Sequence, residues 1–493
     1  MNWHTSILRA SAFLVLGVAG TVAAAEKPAA LPAKLSLSEA LRIAAAHNKS
    51  IQAAQLQAQA DRHRITTAEG AFDPTVYGEA GWVEQDESAV RSAEGRLGAG
   101  ATKRFATGTE IDVSTAWTYT DDHMAAPGSL DPLHDAAGAV VVTQDLLRDF
   151  GAKINGKAIR VATNDWRSSE EGVRDSLIWN LYQVEYAYWQ LYYAEADLQV
   201  RQKQLARARR LVEVAQAQVR VGEAAPIEIT RSRSSAASQE VSILNAKNDV
   251  ARIRNRLLRL LGVIRGDTLA QPLELTDAPP AVNQTLTLEQ SLAVAREQRP
   301  DCRQAELALA NAGEEADFAK NQLLPSLRVY GGVGVSGDDD RFGSALGDFA
   351  SVEGTTWEVG IRAEFPLGNR IAKGRHGTAK ALQFRAVVRQ RDVLELATRE
   401  VADAFDTLTT SARKIDTARQ SRELADELLT AEGKSFKLGR STSLDVLDAQ
   451  QSLAQAEREE VRARIAYAAA LGNLYAVRGD YLVAKKIPVE AQE

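Results

Sequence analysis

The sequence predicts a mainly α-helical protein that carries a separate β region, and three observations lead to this fold class. Only 13 of the 493 residues are proline, and Ala, Gln, Arg, Glu and Leu dominate long stretches, a composition that favours long helices. Several shorter segments alternate between apolar and polar residues, which is the two-residue period of a β-strand. Helix starts and helix ends also recur at constant spacing, which predicts two internal repeats.

Two constant shifts relate the first half of the chain to the second. The pairs at a shift of 251 are segment 36–41 with segment 287–292, and Pro74 with Pro325. The pairs at a shift of 217 are Gly222 with Gly439, and Gly262 with Gly479. Because both halves keep the same order of signals, we expect one supersecondary unit used twice.

The mature chain is therefore divided into a first repeat at 26–262, a linker at 263–286, a second repeat at 287–479 and a tail at 480–493. Each repeat is predicted to contain an opening helix, a strand region, a long helix and a return helix. In the first repeat these are 36–73, about 75–144, 152–221 and 226–262. In the second repeat they are 287–324, about 327–364, 371–438 and 443–478.

The helices have the lengths and spacing of a coiled-coil tube. Ser36 and Thr287 begin capping-box patterns that open the first helix of each repeat. A helix of seventy residues would reach about 105 Å. Seven-residue spacing along the return helices relates Thr230, Ala237, Leu244, Ala251 and Leu258. Such a repeat with many alanines indicates close coiled-coil packing rather than a generic globular core.

Segment 111–120 has the clearest β pattern, with Ile, Val, Thr, Trp and Tyr at its odd positions. One face suits lipid and the other water, over about the length that a strand needs to cross a bilayer. Segments of the same kind are 75–83, 96–105, 138–144, 327–336 and 355–364. The segments 121–136 and 337–353 are expected to be polar loops. A soluble, half-buried sheet has the same alternation, so that alternative remains open at this point.

The N-terminus predicts secretion. Arg9 precedes an apolar core at 10–22, and three alanines at 23–25 precede Glu26, so we expect a signal peptide at 1–25. The single cysteine, Cys302, leaves no internal disulfide. The formal net charge is −6 without a basic block, which argues against nucleic acid as a partner.

Taken together, these residues resemble the TolC-like outer-membrane efflux proteins. The segments that carry the resemblance are the helix openings 37–41 and 288–292, Phe72-Asp73-Pro74 and Leu324-Pro325 before the strands, the strand-to-helix junctions 143–147 and 364–367, and the segment 438–450. The last of these is the most specific. The resemblance extends over almost all of the mature chain.

The resemblance implies a homotrimer in the outer membrane of a Gram-negative-type bacterium. Each protomer would give strands to one shared β-barrel, which continues as a long periplasmic α-helical coiled-coil barrel. The trimer would be the exit duct of a tripartite efflux or type I secretion system. It would passively conduct substrates from an inner-membrane pump, of resistance-nodulation-division or ABC type, that arrive through a periplasmic adaptor. No cofactor is implied, and the sequence contains no catalytic constellation or metal-ligand spacing, so we expect no enzyme.

Two features depart from the pattern of the family. Gln144-Asp145 stands where a Gln-Pro is expected at the first strand-to-helix junction. The family architecture implies four strands per protomer and twelve in the barrel, whereas six strands are recognisable here. The additional hairpin, at 96–120, either widens the barrel or folds outside it.

The resemblance places Asp445 and Asp448 at a gated periplasmic aperture. They lie three residues apart in the first turn of a helix, and therefore on one face. Threefold repetition would gather six carboxylates around one opening. Alternatively, the two acids only complement the helix dipole and cap free N–H groups. The shift of 217 places Glu228 opposite Asp445, but Arg231 opposite Asp448.

This charge reversal predicts a gate. Arg231, with Arg440 on the neighbouring turn, would pair with the acids and hold the aperture closed. The alternative is an ordinary surface ion pair, which contributes about 0 to 1 kcal/mol.

The helical turns at Gly222 and Gly439 are the expected adaptor contacts, together with the adjoining Val221 and Leu438. These residues would equally serve only to terminate helices. The alternative function is a periplasmic adaptor or coiled-coil scaffold without a pore. An adaptor would have one helical hairpin, whereas this sequence predicts two.

Overall fold

The computed structural model describes residues 31–87, 90–122, 132–222, 224–282, 286–352, 354–438 and 440–487. The predicted signal peptide and Gly439 lie outside these residues. The elements of the first half and the linker are β1 (Lys34–Leu35), α1 (Leu37–His47), α2 (Lys49–Glu69), β2 (Thr75–Glu87), β3 (Val90–Arg104), β4 (Thr109–Asp122), β5 (Leu133–Asp145), α3 (Ala152–Asn155), α4 (Lys157–Arg220), α5 (Ile227–Leu260), α6 (Gly266–Ala270) and β6 (Glu274–Leu275). Those of the second half are α7 (Leu288–Gln298), α8 (Pro300–Asn321), β7 (Ser326–Asp339), α9 (Phe342–Ser351), β8 (Gly354–Glu364), α10 (Arg370–Lys437), α11 (Ser443–Arg478) and α12 (Tyr481–Ala484).

The opening helix of each half is two helices, so the prediction of a single helix is wrong. The backbone is extended at Asn48, between α1 and α2, and at Arg299, between α7 and α8. Pro300 disfavours a helical conformation at the residue before it. At the first break, the Asn48 side chain accepts hydrogen bonds from the N–H groups of Ser50 and Ile51 and so caps α2.

The six long strands form one antiparallel sheet in the order β2-β3-β4-β5-β7-β8. The hairpin expected at 96–120 is part of this sheet, as β3 and β4, and lies between β2 and β5. The segment 337–353, expected to be a polar loop, instead contains the end of β7 and the helix α9. The segment 121–136 contributes residues to β4 and β5, and its middle lies outside the described residues.

The two faces of the sheet differ in chemistry. One row of paired positions is apolar on all six strands: Val76, Ala101, Val113, Val140, Val333 and Trp357. All of these except Ala101 are exposed large hydrophobic side chains. At one end, the opposite face carries the charged residues Arg104, Glu110, Asp145, Arg328, Glu358 and Arg362. A sheet with this distribution suits water on one side and an apolar phase on the other.

Helix α9 lies on the apolar face, at the end of the sheet far from the helices. The Phe342 ring meets Trp117 edge-on with the ring centroids 5.5 Å apart. Phe349 covers Gly138, where a Cβ would come within 3.1 Å of the ring. Phe342 and Leu346 remain exposed, so α9 extends the apolar surface of that face.

The long helices run from the sheet junctions to the far end of the molecule. Helix α4 has 64 residues and α10 has 68, or about 96 and 102 Å at 1.5 Å per residue. Each packs antiparallel against its own return helix, α5 or α11. None of the described helices combines the length and apolar character that a membrane span requires.

The larger hydrophobic core lies at the middle of α4. There α1, α12 and the end of α5 pack against α4. Large side chains are buried between them, among them Tyr188 and Trp189 of α4 and Leu257 of α5. The Tyr188 hydroxyl donates to the Leu35 carbonyl at 3.0 Å and accepts from the Asp277 N–H at 3.2 Å. Because Leu35 is in β1 and Asp277 follows β6, this tyrosine ties the start of the chain and the linker to α4.

A buried carboxylate fixes α12 to the same region. Glu185 is 1% exposed and accepts hydrogen bonds from the Tyr481 hydroxyl at 2.7 Å, from Lys485 Nζ at 2.6 Å and from Trp189 Nε1 at 3.3 Å. Burial and the nearby Glu185 charge raise the pKa of Tyr481 well above its ordinary value, so its hydroxyl remains a donor. The pairing of Glu185 with Lys485 offsets the cost of removing a charge from water.

The end of each return helix docks on the break in the opening helix of its own half. Asn48 Nδ2 donates to the Leu260 carbonyl at 2.8 Å, and Arg299 Nη1 donates to the Val477 carbonyl at 2.8 Å. The shift of 251 relates the two donors, and the shift of 217 relates the two acceptors. Both halves therefore use the same joint.

Two glycines allow this joint to close. Gly262 has φ +74° and Gly479 has φ +79°, a conformation in which a side chain is strained. A Cβ on Gly262 would overlap the His47 carbonyl, and one on Gly479 would lie 2.5 Å from the Gln298 carbonyl oxygen. Only glycine fits at either position.

We expect Gly262→Ala and Gly479→Ala each to destabilise the protein by at least about 1–3 kcal/mol, because strained backbone and steric overlap add together. Thermal unfolding of the detergent-purified variants measures the effect. Gly374→Ala is the matched control, since Gly374 lies within α10 with open space around it and alanine favours a helix. Equal unfolding temperatures for Gly479→Ala and Gly374→Ala would contradict the role of the joint.

Candidate functional site

The end of the molecule opposite the sheet contains all the described residues that were proposed for the aperture and the adaptor contact; Gly439 lies outside the described residues. Helix α4 ends at Arg220, and Gly222 follows with φ +80°. Val221 is 68% exposed and Leu438, after α10, is 69% exposed. These two apolar side chains lie at the tips of the two helical hairpins.

Asp445 acts first as a helix cap. Its Oδ2 accepts hydrogen bonds from the Thr442 N–H at 2.9 Å, the Thr442 hydroxyl at 2.7 Å and the Ser441 hydroxyl at 3.1 Å. The Thr442 hydroxyl accepts in turn from the Asp445 N–H, which completes a capping box at the start of α11. The Thr442 hydroxyl, the Thr442 N–H and the Ser441 hydroxyl hold the pKa of Asp445 below its ordinary value.

Glu228 bridges the two hairpins of one protomer. It lies in the first turn of α5 and accepts a hydrogen bond from the Ser443 hydroxyl, at the first residue of α11. Its other oxygen accepts from Arg231 Nη1 at 3.0 Å. Within the chain, Arg231 is thus paired with Glu228 and not with Asp445 or Asp448.

Asp448 and Arg440 are both exposed to solvent. The structure gives neither side chain a hydrogen bond or an ion pair among the residues it describes. The arrangement at the tip therefore separates two kinds of acid. Asp445 and Glu228 are hydrogen-bonded to neighbouring residues of the same chain, whereas the Asp448 carboxylate is exposed to solvent at the tip.

The sequence did not indicate two ion pairs made by α11. Arg207 in α4 reaches Glu457 in α11 at 3.5 Å and joins the two hairpins, whereas Arg422 in α10 reaches Glu460 in α11 at 2.7 Å within the second hairpin. Both acids are mostly buried. Their partners are far away in the sequence, so spacing within one helix gives no signal for them.

Chemically, this end of the molecule presents a surface of exposed charged and apolar side chains. Among the described residues, no group of three or more His, Cys, Asp or Glu is placed to hold a metal ion. The polar groups of the tip cap helices or pair with one another. The exposed side chains at the tip include the charged Arg231, Arg440, Asp445 and Asp448 and the apolar Val221, Ile227, Leu438 and Leu444.

Comparison with known proteins identifies relatives at the level of both sequence and fold. The family model described as "Outer membrane efflux protein" matches residues 150–263 and 292–480. The chain is 25% identical over 334 residues to outer membrane efflux protein BepC of Brucella suis, covering 66% of this chain and 70% of that protein. It is 24% identical over 295 residues to the cation efflux system protein CusC of Escherichia coli K12, covering 59% and 61%.

A solved structure of the outer-membrane channel OprN has a similar fold. It superposes with a TM-score of 0.70 at 18% identity, covering 90% of each chain. The fold of this chain therefore resembles that of a solved outer-membrane channel.

Replacing the capping threonine is expected to fray the first turn of α11. In Thr442→Ala, hydrogen exchange of the amides after Ser443 should be about fivefold faster, the factor typical of a lost helix N-cap. Thr417→Ala is the control, because the Thr417 hydroxyl makes only a 3.5 Å bond within α10.

The same cap predicts a pH dependence. Because the pKa of Asp445 is lowered, its contribution is complete above the ordinary value of 3.8 and is lost as the pH falls through the folded-state pKa. Protection factors that decline while the pH is still well above 3.8 would contradict this assignment.

Proposed function

Because this chain belongs to the outer membrane efflux protein family, we infer that it is an outer-membrane exit duct of a tripartite efflux system. It conducts substrates passively from an inner-membrane pump and a periplasmic adaptor. The observation that carries this function is the direct connection of the sheet to the long helices. A sheet with one apolar and one charged face leads directly into helices long enough to extend deep into the periplasm.

The protein is located in the outer membrane and extends into the periplasm, like the proteins of its family. The apolar row of the sheet would face lipid, and the charged face would line water. Family members are channel proteins, in agreement with the absence of a catalytic constellation from the sequence. The comparisons give no support to the alternative of an adaptor or scaffold without a pore.

Three copies would complete the duct. The two hairpins of one protomer cover only part of a tube, and their equivalent joints at Asn48 and Arg299 support our division of the chain into two structural repeats. Three such pairs would surround one axis with quasi-sixfold symmetry. The tips, with Asp448 exposed in each copy, would then meet around a single aperture.

The exposed charges at the tips would control this aperture. Once the tips converge, Asp448 of one copy would come within reach of Arg231 or Arg440 of a neighbouring copy. Such pairs would hold the tips together at rest. Their separation would open the duct, and the Glu228–Ser443 bridge would keep the two hairpins of each protomer moving as a unit.

We expect wild-type trimers, extracted from the outer membrane, to be mostly closed in planar lipid bilayers. Arg231→Ala combined with Arg440→Ala should raise the open fraction several-fold, because it removes the cations of the gate. Arg252→Ala is the matched control: Arg252 forms an exposed i,i+3 pair with Asp249 at 3.0 Å on the same helix, α5, away from the tip. Unchanged conductance of the double variant would leave Arg231 as an ordinary surface ion pair.

The turns at the two hairpin tips would contact the adaptor. Val221 and Leu438 are exposed apolar side chains at chain reversals, next to Gly222 and Gly439, and would fit between the helices of a partner hairpin. Ile227 and Leu444, in the first turns of α5 and α11, are also exposed and would extend this apolar surface.

A photoreactive amino acid at Val221 or at Leu438 should crosslink to a periplasmic adaptor in cells that express the complete system. Mass spectrometry of the crosslinked band identifies the partner. Ile371 is the control position, because it is 74% exposed but lies at the opposite end of α10. Equal capture of the adaptor from Ile371 would exclude the tips as the specific contact.

A further inference from the structure

The hairpin formed by β3 and β4 is built into the sheet rather than attached to it. Its strands pair with β2 on one side and with β5 on the other along almost their whole length. Its turn is bonded to the junction that leads into α4. Asp145 N donates to the Gly108 carbonyl at 3.1 Å, and Gly151 N donates to the Thr107 carbonyl at 3.0 Å.

A positive φ of +89° at Gly108 allows this contact, since a Cβ there would lie 2.6 Å from the Asp149 carbonyl oxygen. Gly108 therefore allows the hairpin turn to pack closely against the junction that leads into α4.

The chemistry of both faces continues across the hairpin. On the apolar side, β3 and β4 contribute Ala101 and Val113 to the row that crosses all six strands. On the opposite side they contribute Thr102 and Asp112, whose side chains are hydrogen-bonded at 2.7 Å. A hairpin folded outside the sheet would have no reason to match both faces of its neighbours.

The sheet ends in two edge strands, β2 and β8, and among the described residues each has a neighbour on one side only. Neither strand contains proline, and β8 exposes Trp357, Val359 and Ile361 at 70–75%. A long apolar edge of this kind is a site for pairing with another chain. Six strands are too few to close around a channel by themselves, because even eight leave an interior filled by side chains.

The two edges are complementary. Every neighbouring pair in the sheet is antiparallel, so the first and the sixth strands run in opposite directions. The β2 strand of one copy and the β8 strand of the next would therefore join as another antiparallel pair. The apolar faces of the two copies would then be on the same side.

We propose that β8 of each copy pairs with β2 of the next, so that three copies close one barrel of eighteen strands instead of the twelve that the resemblance implied. This proposal rests on the trimer of the proposed function. Barrel diameter grows roughly linearly with strand number, so this barrel is about 1.5-fold wider than a twelve-stranded one. Barrels of sixteen to eighteen strands leave an aqueous channel.

Disulfide crosslinking between edge strands tests the proposal. In a Cys302→Ala background, Val76→Cys in β2 is combined in turn with Thr355→Cys, Trp357→Cys, Val359→Cys and Ile361→Cys, which sample the stagger of β8. Within one chain, β2 and β8 are five strand spacings apart, roughly 24 Å. A disulfide requires Cα atoms within about 7 Å, so any bond must join two copies.

The matched controls place the first cysteine at Val113 in β4 or at Val140 in β5, in the same row as Val76. Within a chain these also lie beyond disulfide range of β8, at about 10 Å or more. We expect a covalent trimer with Val76 and none with Val113 or Val140. A trimer in which β8 links to β4 or β5, or in which no β8 position links to β2, overturns the proposal.

Removal of 90–122 provides an independent measurement. It deletes two strands and leaves β2 and β5 antiparallel, so a four-stranded protomer can still form. Reconstructed particles should be about 1.5-fold narrower at the sheet than those of the intact chain. Equal widths would overturn the eighteen-stranded barrel, whereas failure of the intact protein to form trimers would contradict the proposed function itself.

Discussion

The helical part of the protein depends on how the last turn of each return helix is held against the break in an opening helix. The carbonyls of Leu260 and Val477 belong to those last turns, where intrahelical partners are missing. Asn48 and Arg299 supply the partners from side chains that are themselves buried. An unpaired buried acceptor would cost about 1–3 kcal/mol, so the helix end and the break stabilise each other.

The two joints are alike in position but differ in strength and reach. Asn48 is neutral and caps only the helix that it begins. Arg299 also donates to Asp301 at 2.7 Å and to Glu400 at 2.8 Å, and thereby attaches the second joint to α10. Burial raises the pKa of Asp301, but the Arg299 guanidinium outweighs it and holds that pKa below its ordinary value. The joint of the second half is thus held by ion pairs of Arg299, whereas that of the first half is held by the neutral Asn48 side chain.

Sequence reasoning succeeded where the signal was local. Alternation indicated the strands and heptads indicated the return helices, because both are properties of short windows. Pro300 marks one of the two helix breaks but did not enter the prediction, which placed a continuous helix there, and the equivalent break at Asn48 has no such mark. The sequence fits both roles considered for Asp445, at the aperture and as a helix cap. The structure favours the cap, because the Ser441 and Thr442 hydroxyls donate hydrogen bonds to the Asp445 carboxylate. Glu185 gave no signal at all, since its partner Lys485 lies 300 residues away.

The course of the chain through the sheet has a consequence for how such proteins change over time. Between α2 and α4 the chain crosses the sheet four times, and between α8 and α10 it crosses twice. Because both numbers are even, each long helix begins at the same end of the strands at which the preceding short helix finishes. A single additional crossing would send a long helix to the wrong side of the membrane. Insertions are therefore expected as hairpins, and in a duct of three copies each added hairpin would widen the barrel by six strands.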